Sequence, residues 1–227
     1  MQFHLVYTAC ASVAGILLDL LVIGALLRSA YRHFPLLLLY VVVDFLTSVA
    51  EIRSMLGSNR KGGGYDSWYA MYWWNEQLIQ VLVYLIVIAL VYRATARWRP
   101  RRALLTGVVA ATILFATVSF AAHFDENVRM TDWMVRWTRD LNFAAAILDL
   151  GLWAVLISSR EKDYRILMIA AGLGIQFTGG AIGQAFRALS SPTARVIVSD
   201  LTYLTTLACL YIWWQAFRQP REKHSPK

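Results

Sequence analysis

The sequence predicts an all-α polytopic membrane protein: one bundle of seven transmembrane helices, N-terminus outside and C-terminus in the cytoplasm. Three observations predict it. Of 227 residues, 58% are hydrophobic and only 16% are charged, and the mean hydropathy is +0.49, which is far from a soluble globule. Apolar runs of about 20 residues recur along the whole length, each able to cross a ~30 Å hydrocarbon core as a helix. Lys and Arg gather in alternate short loops, as the positive-inside rule requires.

Segments where charge falls away define spans at 5–27, 34–56, 67–92, 103–122, 133–157, 163–190 and 194–217. They form a single transmembrane domain, 1–217, followed by a short basic tail, 218–227. The first span is too long for a signal-peptide core and has nothing basic before it. It carries Asp19 and is followed by Arg28. The second carries Asp44, Thr47, Ser48 and Glu51 at i, i+3, i+4 and i+7, one face of one helix, with Arg53 on the other side. On the third, Tyr72, Glu76 and Gln80 repeat every four residues, beside Asn75 and Gln77. The fourth is uncharged. The fifth pairs Arg136 with Asp140 at i, i+4 and carries Asp149 deeper. The sixth aligns Gln176, Gly180, Gln184 and Arg187 on successive turns and adds Gly172, Gly174, Gly179 and Gly183, small residues that allow close helix approach, a broken helix or a flat wall against a ligand. The seventh contributes Asp200 and Tyr203.

Of the 22 basic residues, 14 fall on one side, from Arg28 and Arg32 through the Arg93–Arg102 group and Arg160–Arg165 to the tail, which makes that side cytoplasmic. Trp68, Tyr69, Trp73, Trp74, Trp133 and Trp137 read as an outer aromatic belt, and Trp98, Trp213 and Trp214 as an inner one. Cys10 and Cys209 fall roughly 14 Å apart in depth at 1.5 Å per residue, too far for a disulfide.

Seven carboxylates inside the spans are the informative feature: Asp19, Asp44, Glu51, Glu76, Asp140, Asp149 and Asp200. An acid at the centre of a span costs roughly 2.5–3.5 kcal/mol to insert, so such residues face the bundle interior, pair, or take a proton. Glu51, Glu76, Asp140, Gln184 and Asp200 fall within roughly 8–14 Å of the outer surface on five helices. This predicts an outward-facing polar cavity binding a small molecule or ion, in a sensor, receptor or carrier. Glu76, among Tyr72, Trp73 and Trp74, is the leading candidate for contact with a cation or a ring. Pairs with Arg136, Arg139 or Arg187 that only fix packing are the competing expectation, and a non-catalytic subunit holding helices or pigments of a larger membrane complex is the alternative function.

No enzyme is expected, and no resident cofactor or metal. The four histidines, His4, His33, His123 and His224, all lie in tails or loops, no Ser/His/Asp set assembles from span residues, and no phosphate-binding glycine loop follows a strand. The net charge of +8 is spread among short loops, which argues against nucleic acid. The partners expected are the lipid bilayer, a small ligand, and subunits of a complex.

In outline, seven helices in about 230 residues resemble a microbial rhodopsin. That family places its retinal-binding Lys four residues after an Asp of the seventh span; here Asp200 is followed by Leu204, and Lys61, Lys162, Lys223 and Lys227 all lie outside the spans. The resemblance is one of architecture, without a Schiff base. The chain is also similar to an uncharacterised family of bacterial seven-helix inner-membrane proteins, through His33, Phe34, Pro35 and Tyr40, then Tyr69, Tyr72 and Trp74 entering a long span that ends in Tyr92 and Arg93. That similarity implies a bacterial inner membrane and no particular activity.

Overall fold

The computed structural model describes residues 2–29, 31–58, 65–95, 101–124, 130–158, 163–187 and 192–218. They form seven helices and, among the described residues, no strand: α1 Gln2–Ser29, α2 Pro35–Ser58, α3 Tyr65–Ala94, α4 Arg101–His123, α5 Met130–Ser158, α6 Tyr164–Arg187 and α7 Pro192–Arg218. Each contains the greater part of one expected span. Most run a few residues further, because backbone hydrogen bonding continues where apolar sequence stops, and α6 is described as far as Arg187. Starts follow local chemistry. Proline, pre-set for the helical φ and lacking only a donor that a first turn leaves unpaired, opens α2 and α7. Asp163 caps α6, its Oδ1 accepting from the Arg165 N–H at 3.0 Å and its carbonyl from Leu167 at 3.1 Å.

Among the described residues, five helices hold segments long and apolar enough to cross a membrane: Cys10–Arg28, Trp74–Ala94, Arg102–His123, Trp133–Ser158 and Tyr164–Gly183. In α2 the described apolar run covers Pro35–Ala50. Large apolar side chains face outward on the long helices, including Leu17, Leu114, Ile147 and Leu150, the last 71% exposed. An apolar coat of this extent suits lipid, not water.

Neighbouring helices pack in the order α1, α2, α3, α5, α6, α7 and back to α1, with α4 outside this ring against α3 and α5. The ring ends are tied together at one pole. Phe34, just before α2, meets Phe217 of α7 edge-on at 5.6 Å, and Arg93 at the end of α3 lies 4.5 Å over the Phe34 ring. Trp213 of α7 donates to the Ile169 carbonyl of α6 at 3.1 Å and meets Tyr40 of α2 edge-on at 5.6 Å. Trp213 is fully buried. This corrects its expected place in an interfacial belt: the indole N–H finds its partner in a helix carbonyl instead of a lipid headgroup. Trp214 does reach outward, 5.0 Å beneath the Arg218 guanidinium, while Trp98 lies outside the described residues. Trp74, 71% exposed, points away from the bundle.

Helix α6 is continuous, so its glycines do not break it. They let neighbours in. A Cβ at Gly172 would meet the Trp213 ring at 2.5 Å and Cys209 Sγ at 3.2 Å, and one at Gly174 would meet Asp149 Oδ2 at 2.8 Å. A Cβ at Gly179 would clash with the Thr205 side chain, whereas one at Gly180 would only touch Asn142, at 3.4 Å. The glycine stripe is consumed by contacts within the chain.

Candidate functional site

Polar side chains of the interior fall into two levels. The outer level, at the pole opposite Phe34, is built around Asp140. Its Oδ2 accepts from Ser119 at 3.1 Å and lies 2.8 Å from His123 Nε2, both on α4, while Oδ1 accepts from Arg139 Nε and Nη2 at 3.2 and 3.1 Å. Arg136, expected as the i, i+4 partner, is exposed instead, because the carboxylate turns toward α4 and Arg139 follows it. Beside the cluster, Phe120 stacks on Phe124 at 5.4 Å and both meet Trp133 edge-on. Trp137 packs on Phe120 at 5.3 Å and donates to the Ala116 carbonyl at 3.2 Å. The outer aromatic residues of α5 therefore anchor α4.

Two residues to either side of Asp140, α5 addresses other helices. Thr138 accepts from Gln77 of α3 at 3.1 Å, and buried Asn142 rests against Gly180 of α6. Gln80 is also buried, with no hydrogen-bond partner for its Nε2 among the described residues. Glu76 and Asp200 are half-buried and Tyr203 more exposed, and each is engaged by neighbours. The side chains of Glu51, Tyr72 and Gln184 lie outside the described residues.

The second level is deeper. Counting from the helix ends at the Phe34 pole, Asp19 is ten residues from Ser29, Asp44 nine from Pro35, Asp149 nine from Ser158, Gly174 ten from Tyr164 and Cys209 nine from Arg218. At 1.5 Å per residue all five sit about 14–15 Å from that pole, in one layer. Asp19 and Asp149 are each only 2% exposed, and each retains a carboxyl Oδ1 with no hydrogen-bond partner among the described residues. Asp44 of α2, itself engaged by neighbours, lies within electrostatic range of Asp19 on α1. Tyr40, one turn below Asp44 on the same face, feels both carboxyls. Its hydroxyl accepts from Gln176 Nε2 of α6 at 2.8 Å, and Gln176 Oε1 is reached by the Cys209 thiol of α7 at 3.5 Å. A polar spine thus crosses the bundle from α1 through α2 and α6 to α7.

No Lys or Arg occurs at this depth on any described helix. The spine can hold a positive charge or a proton, but it is not a continuous proton wire, because a carboxamide at Gln176 orients its neighbours without itself exchanging protons. Among the described residues no three His, Cys, Asp or Glu side chains converge as a metal site. Cys10 and Cys209 are both free thiols.

Asp19 and Asp44 were visible in the sequence as intramembrane acids. Tyr40 carried a weaker signal, its i−4 spacing from Asp44, which extends the polar stripe of α2 by one turn. Asn142 and Thr138 carried none, since an isolated amide or hydroxyl in an apolar helix does not declare which neighbour it meets.

Compared with known proteins, the chain matches no family model, no curated protein and no solved structure, so its similarity to a bacterial seven-helix family has no support from those comparisons.

Proposed function

We propose that this is a seven-span membrane protein of the bacterial inner membrane that binds a small cation at the Asp19–Asp44 pair, as a sensor or carrier. In this reading α2 and α7 cross the bilayer with the other five helices. They close the ring between apolar neighbours and, at 24 and 27 residues, span about 36 and 40 Å. The Phe34 pole, with Arg28, Arg32, Arg93 and Arg218, is cytoplasmic. Access is from outside along the polar face of α2, where Ser48 and Thr47 lead down to Asp44. The Thr47 hydroxyl is turned back onto the Asp44 carbonyl at 2.9 Å, leaving the carboxyl to the interior.

One observation carries this reading: Asp19 and Asp44 lie within electrostatic range of each other in the middle of the bundle with no Lys or Arg at their level on any described helix, and Asp19 has a fully buried oxygen with no hydrogen-bond partner among the described residues. An uncompensated carboxylate in such a place costs several kcal/mol, which a bound cation or a proton removes. With one proton kept between them the two carboxyls carry a single negative charge, which a singly charged ion neutralises. The test is thermal unfolding of the purified protein in Na⁺, K⁺ and Li⁺ against choline. A cation at about 100 times its Kd stabilises by about 2.7 kcal/mol, a rise of several degrees. Asp19→Asn and Asp44→Asn are expected to abolish the rise. An equal rise in both variants, or no cation response in the wild type, overturns the proposal.

A further inference from the structure

The Phe34 pole carries unspent positive charge. Arg28, Arg93 and Arg218 stand in the last turns of α1, α3 and α7, Arg32 lies just after α1, and Arg102 stands in the first turn of α4. Among the described residues Asp163 is the one acid at this pole, and it caps α6. None of the five arginines is paired with a carboxylate among the described residues, whereas at the outer pole Arg139 is engaged by Asp140. The helix dipole accounts for a cation in a last turn, but it opposes Arg102 at the start of α4.

Three of the arginines lie over aromatic rings: Arg32 at 5.5 Å from the centre of Tyr31, Arg93 at 4.5 Å from Phe34 and Arg218 at 5.0 Å from Trp214. Stacking engages the flat face of a guanidinium and leaves the fork of N–H donors in its plane, the geometry that binds a phosphate with two hydrogen bonds. Arg28 and Arg218 are exposed, on helices that pack side by side. Seven residues before each, and so on the same helix face, stand Leu21 and Tyr211, both exposed. Leu17 continues the apolar face of α1 by another turn. The complement of this surface is a negative charge at the level of the arginines joined to hydrocarbon along the helices toward the middle of the bundle. A free anion meets only the first requirement.

We propose that the Phe34 pole binds anionic phospholipids. Their phosphates take the guanidinium forks of Arg28 and Arg218, and their acyl chains run along the exposed faces of α1 and α7. The inference rests on the membrane placement above but not on the cation site, since Asp19 and Asp44 play no part in it.

The test is electron spin resonance of the full-length protein reconstituted in phosphatidylcholine vesicles, with a trace of chain-labelled phosphatidylglycerol or phosphatidylcholine. The motionally restricted fraction of each label reads the lipid held against the protein. Phosphatidylglycerol is expected to be preferred about fivefold, the scale of one well-placed arginine. Arg28→Gln combined with Arg218→Gln is expected to reduce the preference to about twofold or less, and Arg136→Gln, at the opposite pole, to leave it unchanged. Raising NaCl to about 0.5 M is expected to weaken the preference in the wild type by screening, a reading that needs no variant. Equal restriction of the two lipids overturns the proposal, as does a preference that survives the paired substitution, is untouched by salt, or falls as far in Arg136→Gln. Inorganic phosphate is expected to weaken the preference no more than chloride of equal ionic strength; a specific loss in phosphate means a site for the free anion and also overturns it. Absence of any restricted lipid overturns the membrane placement itself. Lipid restriction and the cation response are separate readouts, so either proposal can fail alone.

Discussion

Asp140 and Asp149 sit nine residues apart on α5 and meet opposite fates. Asp140 is a quarter exposed and holds a serine, a histidine and an arginine; Asp149 is 2% exposed, with one oxygen unpartnered among the described residues and the other against a glycine. Nine residues are two and a half turns, so the two acids point to opposite faces, Asp140 to α4 and Asp149 to α6. They also differ in depth. Near the helix end Arg139 and His123 can reach a carboxylate and keep their own access to water, whereas at the middle no basic residue is available on any described helix. Depth and face, more than residue type, decide whether an intramembrane acid is a structural tie or an unmet demand for a ligand or proton.

The contrast can be broken from either side. The largest effect is expected at the glycine that admits the deep acid. Gly174→Leu drives a side chain into the Asp149 carboxyl and is expected to destabilise the protein by about 1–3 kcal/mol in a denaturant titration, as overpacking does. Asp149→Gly in the same chain should recover part of the loss, and an absence of recovery would show that the strain lies elsewhere. Next, Asp140→Leu is expected to cost about 1–2 kcal/mol, because Arg139 and His123 lose a charge-assisted partner. The equivalent Asp149→Leu should be neutral or stabilising, since an unpaired buried acid gives way to an apolar side chain of similar size. If both substitutions cost the same, the distinction between the two levels fails. The smallest effect belongs to Arg136→Ala. Exposed and outside the Asp140 cluster, it is expected to change the melting temperature by no more than an ordinary surface substitution does, within about 0.5 kcal/mol.

The helices were legible because twenty-residue apolar runs leave few alternatives, and the residues at their ends were displaced only by the few positions through which a helix outruns its apolar segment. The seven acids were legible too, since charge is conspicuous in such a sequence. Their partners were not. The i, i+4 rule chose Arg136 for Asp140, yet the carboxylate found Arg139 and two residues of α4, because a tertiary neighbour outweighs a pairing along one helix worth about 0.2–0.5 kcal/mol. Trp213 read as an interfacial residue by composition and proved to be the largest fully buried side chain, seated in the space that Gly172 leaves. That pairing joins two helices forty residues apart, and periodicity within either one carries no trace of it. The common depth of Asp19, Asp44, Asp149 and Cys209 was latent in the helix ends and became visible only once those ends shared a pole.

The central claim is that the Asp19–Asp44 pair takes up a cation in the middle of the bundle. Infrared difference spectroscopy of the membrane-reconstituted protein, exchanging choline for Na⁺ or K⁺ at constant pH, reads the carboxyl groups directly. The account predicts a cation-induced change in the carboxyl and carboxylate bands that is lost in Asp19→Asn and kept in Asp140→Asn. A change that survives Asp19→Asn, or one that disappears in Asp140→Asn, would contradict it.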